Sequence, residues 1–265
     1  MTAAVGTMLR QWRSHRSISQ LDLAYDVGVS PRHLSFVETG KSRPSPALLE
    51  ALSRRLDIPL RERNALLLAA GHAPRYTEKS LDAAAMERIT ASVQRILDAH
   101  NPYPGLALDR MWNVVLANET ATSLAAMLPE HLTGPPFNLF RASLHPDGFA
   151  RYTVDFDVWA TYLLDTLRRL VRVTGDPRLT ALEQEVGAYP TVAALDRRAA
   201  RVSEGGGDPQ LLVPFTLRAG EQELAFFTTL TTFGTPRDIT LEEMTIELFY
   251  PADAPTEHAV ARMQG

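Results

Sequence analysis

One short stretch directly after Pro31 holds four side chains that can form hydrogen bonds or stacking contacts. They are Arg32, His33, Ser35 and Phe36. Proline is preset for the first position of a helix, so residue 31 predicts a helix start. On such a helix these side chains face outward. A guanidinium can pair with guanine and an aromatic ring can touch a thymine methyl group. The pattern therefore indicates a helix that reads base edges in a groove of DNA.

The stretch 19–38 predicts two short helices joined by a turn of three to four residues. Ser19 and Ser30 can N-cap the two helices, and Gly28 permits the positive φ that a tight turn requires. The apolar residues that recur at helical spacing and would form the shared core are Leu23, Val27, Leu34 and Val37. An ordinary helical hairpin with a solvated face is the alternative for this stretch taken alone.

The flanks add three helices to this pair. An apolar face from Val5 to Trp12 predicts a helix upstream, and Arg13 on that helix is placed to meet Glu38 in an ion pair. A basic loop at 39–45 follows, and apolar stripes at 46–56 and 60–70 predict two more helices. Five helices would close one bundle.

Residues 5 to about 74 resemble the DNA-binding domain of phage-repressor-like regulators, the XRE family. The runs 30–45 and 59–71 resemble the subgroup that carries an MmyB-like ligand-binding domain. The resemblance implies two sets of contacts to double-stranded operator DNA. Those to phosphates are Ser19, Gln20, Lys41 and Arg43. Those to bases are Pro31, Arg32, His33, Ser35 and Phe36.

Charge divides the chain at the same place. Residues 1–76 hold eleven Lys and Arg against six Asp and Glu, a net charge of +5, and the remainder carries −9. A basic face suits nucleic acid, so DNA contact is predicted for the first part. The absence of cysteine excludes disulfides, zinc knuckles and thiol catalysis. No apolar run reaches the roughly 18 residues of a membrane span, which predicts a cytoplasmic protein without a membrane partner.

The remaining sequence predicts a linking helix within 77–101, a second domain at 102–252 and a mobile tail at 253–265. Residues 104–118 read as strand, tight turn at Asp109-Arg110, and strand. Helical segments follow, and strands are predicted at 211–217, 224–233 and 239–250, the last with one buried face and with Glu242 and Glu243 pointing to opposite faces. This order predicts an α+β domain with a five-stranded antiparallel sheet.

The tract 138–148, which contains His145-Pro146-Asp147-Gly148, is similar to the MmyB-like ligand-binding domain over residues of about 102–250. The resemblance implies a PAS-like cavity that holds a fatty-acyl molecule. An apolar ligand needs large apolar side chains and few polar anchors. Arg141 and His145 are the predicted anchors of a polar end. The apolar candidates, each of which could instead simply fill the core, are Trp112, Leu116, Met127, Phe137, Phe140, Phe156, Trp159, Leu163, Phe226 and Phe227.

Together these patterns predict a homodimeric transcription regulator with an α-helical DNA-binding bundle and a C-terminal domain that binds a small hydrophobic effector, a fatty acid or acyl derivative. No hydrolase, metalloprotease or phosphate-binding loop motif is present, so we expect no enzyme activity, no metal and no cofactor besides the effector. The alternative is a helix-turn-helix protein whose C-terminal domain is a ligand-free module for dimerisation or partner binding.

Overall fold

A computed structural model of the chain describes residues 2–199 and 212–262. The chain forms two compact units. The first comprises 1–86 together with 233–243, and the second comprises 87–232 together with 244–265. A segment far along the sequence is therefore part of the unit that contains the helix-turn-helix.

Five helices build most of the first unit, as predicted. They are α1 (Thr2–His15), α2 (Gln20–Asp26), α3 (Pro31–Glu38), α4 (Pro46–Arg55) and α5 (Leu60–Ala69). The Ser19 and Ser30 side chains accept hydrogen bonds from backbone N–H groups of the first turns of α2 and α3, which confirms both caps. Gly28 between these helices has φ +72°, a conformation that side chains with a Cβ resist.

The core of the first unit lies where α1, α3 and α5 meet. Leu9, Leu34, Val37 and Leu66 are almost fully buried there. Gly6 allows α1 to approach the end of α3 closely, because a Cβ at this position would lie 2.5 Å from the Val37 carbonyl oxygen. Helix α3 is thus fixed by the same apolar contacts that hold the bundle together.

The 233–243 segment is held by polar contacts within the first unit. It contains the short helix α13 (Ile239–Glu242), whereas the sequence pattern predicts a strand from 239 onwards; that prediction is wrong for these residues. Asp238 caps α13 and also accepts a hydrogen bond from Thr77 Oγ1 at 2.7 Å. Capping by Asp238 favours a helical turn at a site where β-branched residues suggest a strand.

Glu242 and Glu243 both contact α5. The Glu242 carboxylate accepts from the Leu60 backbone N–H at 2.7 Å, at a helix start that has no side-chain cap of its own. Arg61 donates to both oxygens of Glu243, at 2.8 and 2.9 Å, and also pairs with Glu78. The prediction that the two carboxylates point to opposite faces of a strand is therefore wrong, because both engage the first turn of one helix.

The second unit contains a five-stranded antiparallel sheet, which confirms the predicted fold class. Its strands are β1 (Gly105–Leu108), β2 (Val114–Ala117), β3 (Phe215–Ala219), β4 (Gln222–Thr232) and β5 (Thr245–Pro251). They are arranged in the order β2-β1-β5-β4-β3. β3 begins four residues later than predicted, and residue 211 lies outside the described residues. The turn after β1 is built by Asp109, whose Oδ1 accepts from the backbone N–H groups of Met111 and Asn113.

Helices surround this sheet. They are α6 (Glu87–Ala99), α7 (Glu119–Ala125), α8 (Glu130–Thr133), α9 (Leu139–Leu144), α10 (Phe156–Thr174), α11 (Pro177–Gly187), α12 (Pro190–Ala199) and α14 (Ala254–Arg262), with a 3-10 turn at Phe149–Arg151. The α14 helix occupies most of the predicted mobile tail, where Thr256 accepts a hydrogen bond from the Ala225 N–H and Ala259 and Val260 are buried. The tail prediction is wrong because small apolar residues at helical spacing pack it onto the sheet. No helix among the described residues is long and apolar enough to cross a membrane.

One buried charge departs from the predicted pattern of β5. Glu247 is 1% exposed, although alternation along the strand predicts that its face is solvated. Desolvation by burial raises the pKa of Glu247 to about 7. Its Oε2 has no hydrogen-bond partner among the described residues, while Thr228 bonds to the carboxyl group. Both faces of this central strand are therefore covered.

Candidate DNA-binding face and ligand cavity

The outward face of α3 carries the side chains predicted to contact bases. Arg32 is exposed, and Pro31, His33, Ser35 and Phe36 are partly exposed. The Arg32 guanidinium lies 5.3 Å from the centre of the Phe36 ring, and Lys41 Nζ lies 5.7 Å from the same ring. Cation–π contact of this kind limits the positions of both cations. The aromatic ring thus keeps two positive groups on one side of the recognition helix.

Gln20 is placed differently from the prediction of a phosphate contact. Its amide nitrogen donates to Glu38 Oε2 at 2.8 Å, within the ion pair that Arg13 forms with Glu38 at 2.7 and 2.9 Å. The hydrogen bond to Glu38 raises the pKa of Arg13. The predicted pair between Arg13 and Glu38 is confirmed, and Gln20 belongs to the same buried network.

The other predicted phosphate contacts lie around the ends of the helix-turn-helix. Ser19 is exposed at the start of α2, where its hydroxyl group is shared with Asp22. Arg43 donates to the Gly71 carbonyl oxygen at 2.7 Å, which orders this exposed side chain at the end of α5. Lys41 extends into solvent beside Phe36. Three of the four predicted residues are therefore accessible to a phosphate backbone.

The second unit encloses an apolar cavity of about 50 Å³ beside the sheet, here called the ligand cavity. Its walls come from β1, β3, β4 and β5 and from α7, α9 and α10. The side chains that line it are Pro104, Leu106, Ala121, Leu124, Ala125, Phe137, Leu139, Ser143, Phe149, Trp159, Phe215, Leu217, Phe226 and Phe249. Drug-sized ligands occupy roughly 300–1,000 Å³, so a larger molecule must extend beyond this cavity.

An open groove of about 740 Å³ adjoins the ligand cavity. Pro104, Leu124, Leu217 and Phe226 line both spaces. The groove is otherwise lined by Asn101, Pro102, Glu119, Thr120, Ser123, Met127, Leu224 and Val260. The four shared side chains lie between the cavity and the groove, so a ligand that occupies both spaces must displace them.

The structure brings together part of the predicted apolar set. Phe137, Trp159 and Phe226 line the cavity, and Met127 lines the groove. The Phe227 ring is stacked on Tyr250, on the face of β4 opposite to Phe226, because neighbouring strand residues alternate.

The other predicted apolar residues do not line either space. Trp112 and Phe140 stack on each other in the core with ring centres 4.6 Å apart, and Leu163 is buried nearby. Phe156 packs against the same core, and Leu116 is half-buried on β2. For these residues packing, which the sequence pattern left as the alternative, describes the observed contacts.

Neither predicted polar anchor lines the cavity or the groove. Arg141 Nε and Nη2 donate to the two carboxylate oxygens of Glu185, each at 2.7 Å, and these bonds lower the pKa of Glu185. The His145 ring packs edge-on against His131 and Tyr189. Each side chain stabilises the packing of α9 with its neighbours and is not directed to the candidate site.

His131, His145 and Asp147 are the described group that could hold a metal ion, with ligand atoms within 4.8 Å of one another. Two imidazoles and a carboxylate are ligands that zinc accepts. His145 Nδ1, however, already accepts a hydrogen bond from the Asp147 backbone N–H at 3.1 Å. A metal at this nitrogen would have to displace that bond and open the turn.

Comparison with known proteins identifies both parts of the chain. The family model of the MmyB-like transcription regulator ligand binding domain matches residues 89–263. The chain belongs to this family. A helix-turn-helix model matches residues 9–63, so this MmyB-like regulator combines a DNA-binding and a ligand-binding part. No curated protein matches the chain.

Solved structures similar to this MmyB-like regulator include two proteins. One is the restriction-modification controller protein C.AhdI from Aeromonas hydrophila, 31% identical, covering 23% of this chain and 94% of its own, with a TM-score of 0.23. The other is the clp gene regulator ClgR from Corynebacterium glutamicum, 24% identical, covering 38% and 94%, with a TM-score of 0.24.

Several cavity residues of this MmyB-like regulator were missed by sequence reasoning. Ser143, Phe149, Phe215 and Phe249 all line the cavity. Phe215 sits on the core-facing side of β3, and strand alternation was a usable signal for it. Phe249 lies on the same face of β5 as Glu247, which alternation assigned to solvent. Ser143 has no such signal, because a serine in a short helix is ordinarily exposed.

Proposed function

We propose that the first unit binds double-stranded operator DNA through α3 and that the second unit binds a small apolar ligand which changes the affinity for DNA. The observation that carries this proposal is the face formed by Arg32, Phe36 and Lys41 on a bundle of positive net charge. Arg32 is proposed to pair with guanine, and Phe36 to contact a thymine methyl group. Lys41 and Arg43 are proposed to bind phosphates.

Two variants test this assignment. DNA fragments that the purified protein selects from a random pool supply the operator sequence. Arg32→Ala should then cost about 1–3 kcal/mol and relax specificity at one base pair, whereas Lys41→Ala should weaken binding to all sequences alike and reduce the salt slope by about one. Arg54→Ala is a matched control, because Arg54 is exposed on α4 and pairs with Glu50. Unchanged operator affinity of Arg32→Ala would contradict the proposed register of the helix.

The proposed ligand is an acyl chain or a molecule of similar apolar character. Its support is the ligand cavity and the adjoining groove, whose walls are formed largely by apolar side chains. A homodimer is proposed as well, and it predicts that the selected DNA holds two related half-sites with two-fold symmetry. Analytical ultracentrifugation with and without that DNA measures the oligomeric state.

The 233–243 segment is the proposed route from ligand to DNA. In the sequence it connects β4 to β5, which carry the cavity residues Phe226 and Phe249. In the structure it belongs to the first unit, where Glu242 and Glu243 contact α5. A ligand that binds two arrangements of these strands unequally would shift the protein between them.

A further inference from the structure

We propose that the effector is an uncharged molecule whose hydrogen-bond acceptor pairs with the Trp159 indole N–H and the Ser143 hydroxyl group, while its apolar chain lies along the groove. This inference rests on the proposed ligand-binding function and names the chemical class of the ligand.

The hydrogen-bond acceptor of the proposed ligand is inferred from an unsatisfied donor in the apolar wall of the cavity. Trp159 is 3% exposed and lines the ligand cavity, and its Nε1 has no hydrogen-bond partner in the part of the chain that the structure describes. A buried N–H group without a partner is costly, and nearly all such groups in proteins are paired. Ser143 is the single polar side chain among the residues that line the cavity. A ligand oxygen placed there would satisfy a donor that the protein leaves open.

The charges around the site argue against a carboxylate. The described linings of cavity and groove contain no Lys, Arg or His, and Glu119 in the groove adds a negative charge. Arg141, a cation that the sequence predicts as an anchor, is bound to Glu185 through two hydrogen bonds. A buried anion needs a paired cation, and an anion at the groove would meet Glu119. An ester, ketone, ether or alcohol meets neither penalty.

The volumes of the ligand cavity and the groove indicate how the ligand is oriented. The cavity of about 50 Å³ has room for a small group such as a carbonyl, because on the same measure about 10–15 Å³ is enough for one water molecule. The groove of about 740 Å³ is large enough for a chain, and Met127, Leu224 and Val260 give it apolar contacts. The polar end is therefore assigned to the cavity and the chain to the groove.

Binding of a matched pair of compounds tests the inference. Dodecanoate and methyl dodecanoate have the same chain and differ in charge, and their affinities for the full-length protein at pH 8 are measured by isothermal titration calorimetry. We expect the ester to bind at least tenfold more tightly. Trp159→Phe and Ser143→Ala should each weaken the ester about three- to tenfold and leave the acid unchanged. Trp112→Phe is the control, because Trp112 is buried against Phe140 outside the cavity lining.

The possible failures are distinguishable. If dodecanoate binds as tightly as the ester, the uncharged class is wrong although the ligand cavity stands. Thermal denaturation first shows that the Trp159→Phe variant is folded. If the ester binds this folded variant with unchanged affinity, the assigned anchor is wrong. If neither compound binds, the apolar-ligand function fails and this inference fails with it.

Discussion

The buried carboxyl group of Glu247 should make the second unit less stable as the pH rises. Burial raises the pKa of Glu247 from 4.5 to about 7. A carboxyl group that binds its proton more tightly when folded costs nothing below pH 4.5, where both states are protonated. The cost grows up to about pH 7, because the folded protein must then either keep a proton or bury a charge. Each pKa unit corresponds to about 1.4 kcal/mol, so the full loss is about 3 kcal/mol.

Urea unfolding between pH 5 and pH 8.5 measures this effect. The Trp12→Phe background confines tryptophan fluorescence to Trp112 and Trp159, which both lie in the second unit. In that background Glu247→Gln should remove most of the pH dependence and be the more stable variant at pH 8. Glu221→Gln serves as the control, because that side chain is exposed in the turn between β3 and β4.

Two outcomes would refute the reasoning about Glu247. A second unit that becomes more stable between pH 5 and pH 8 would show that other carboxyl groups dominate. A Glu247→Gln variant with the same slope as its parent would show that Glu247 already has its ordinary pKa in the folded state.

Two further predictions concern the first unit. Glu38→Ala leaves the Arg13 guanidinium without its buried partner and should cost about 3–5 kcal/mol in urea unfolding; losses that simply add in a double-mutant cycle with Arg13→Ala would contradict a coupled pair. In a double-mutant cycle of Glu243→Gln and Arg61→Gln, the expected coupling free energy is larger than the roughly 0.2–1 kcal/mol of exposed ion pairs. It is smaller than the about 3–5 kcal/mol that is lost when a buried pair is broken, because both side chains are only partly buried. No coupling there would remove the ion pair from the contacts that hold the 233–243 segment.

The first unit could be predicted from its sequence because its signals are local. Ser19 and Ser30 cap helices within three residues of themselves, and Gly28 meets a backbone requirement of its own turn. The ion pair of Arg13 and Glu38 could be predicted because each residue lies on a helix that local sequence signals had already placed in the bundle. The hydrogen bond from Gln20 to Glu38 was not predicted, because helix position alone does not show a second donor to that carboxylate.

The second unit was predicted less completely because its decisive contacts join distant residues. Glu247 lies in a strand whose residues alternate regularly between apolar and polar. Helix α10 nevertheless covers the face that this pattern assigns to solvent, and the Glu247 carboxylate contributes to raising the pKa of Tyr162 on that helix. In the first unit, Asp238 caps a helix at the start of a predicted strand, and it also accepts a hydrogen bond from the distant Thr77. Neither the covering helix nor Thr77 lies in a window of residues that neighbour these positions in the sequence.

The cavity shows why residue type alone selects a ligand site poorly. Phe226 and Phe227 are adjacent and chemically identical, but the pleat of β4 turns one toward the cavity and the other toward Tyr250. Arg141 has the positive charge that a carboxylate ligand would need, but its guanidinium is already paired with Glu185. What remains in the wall is an indole N–H and a hydroxyl group, both neutral donors. If the proposed ligand assignment is correct, the site selects by hydrogen bonding and size, and an uncharged effector is favoured because the described linings of cavity and groove hold no cation for a carboxylate.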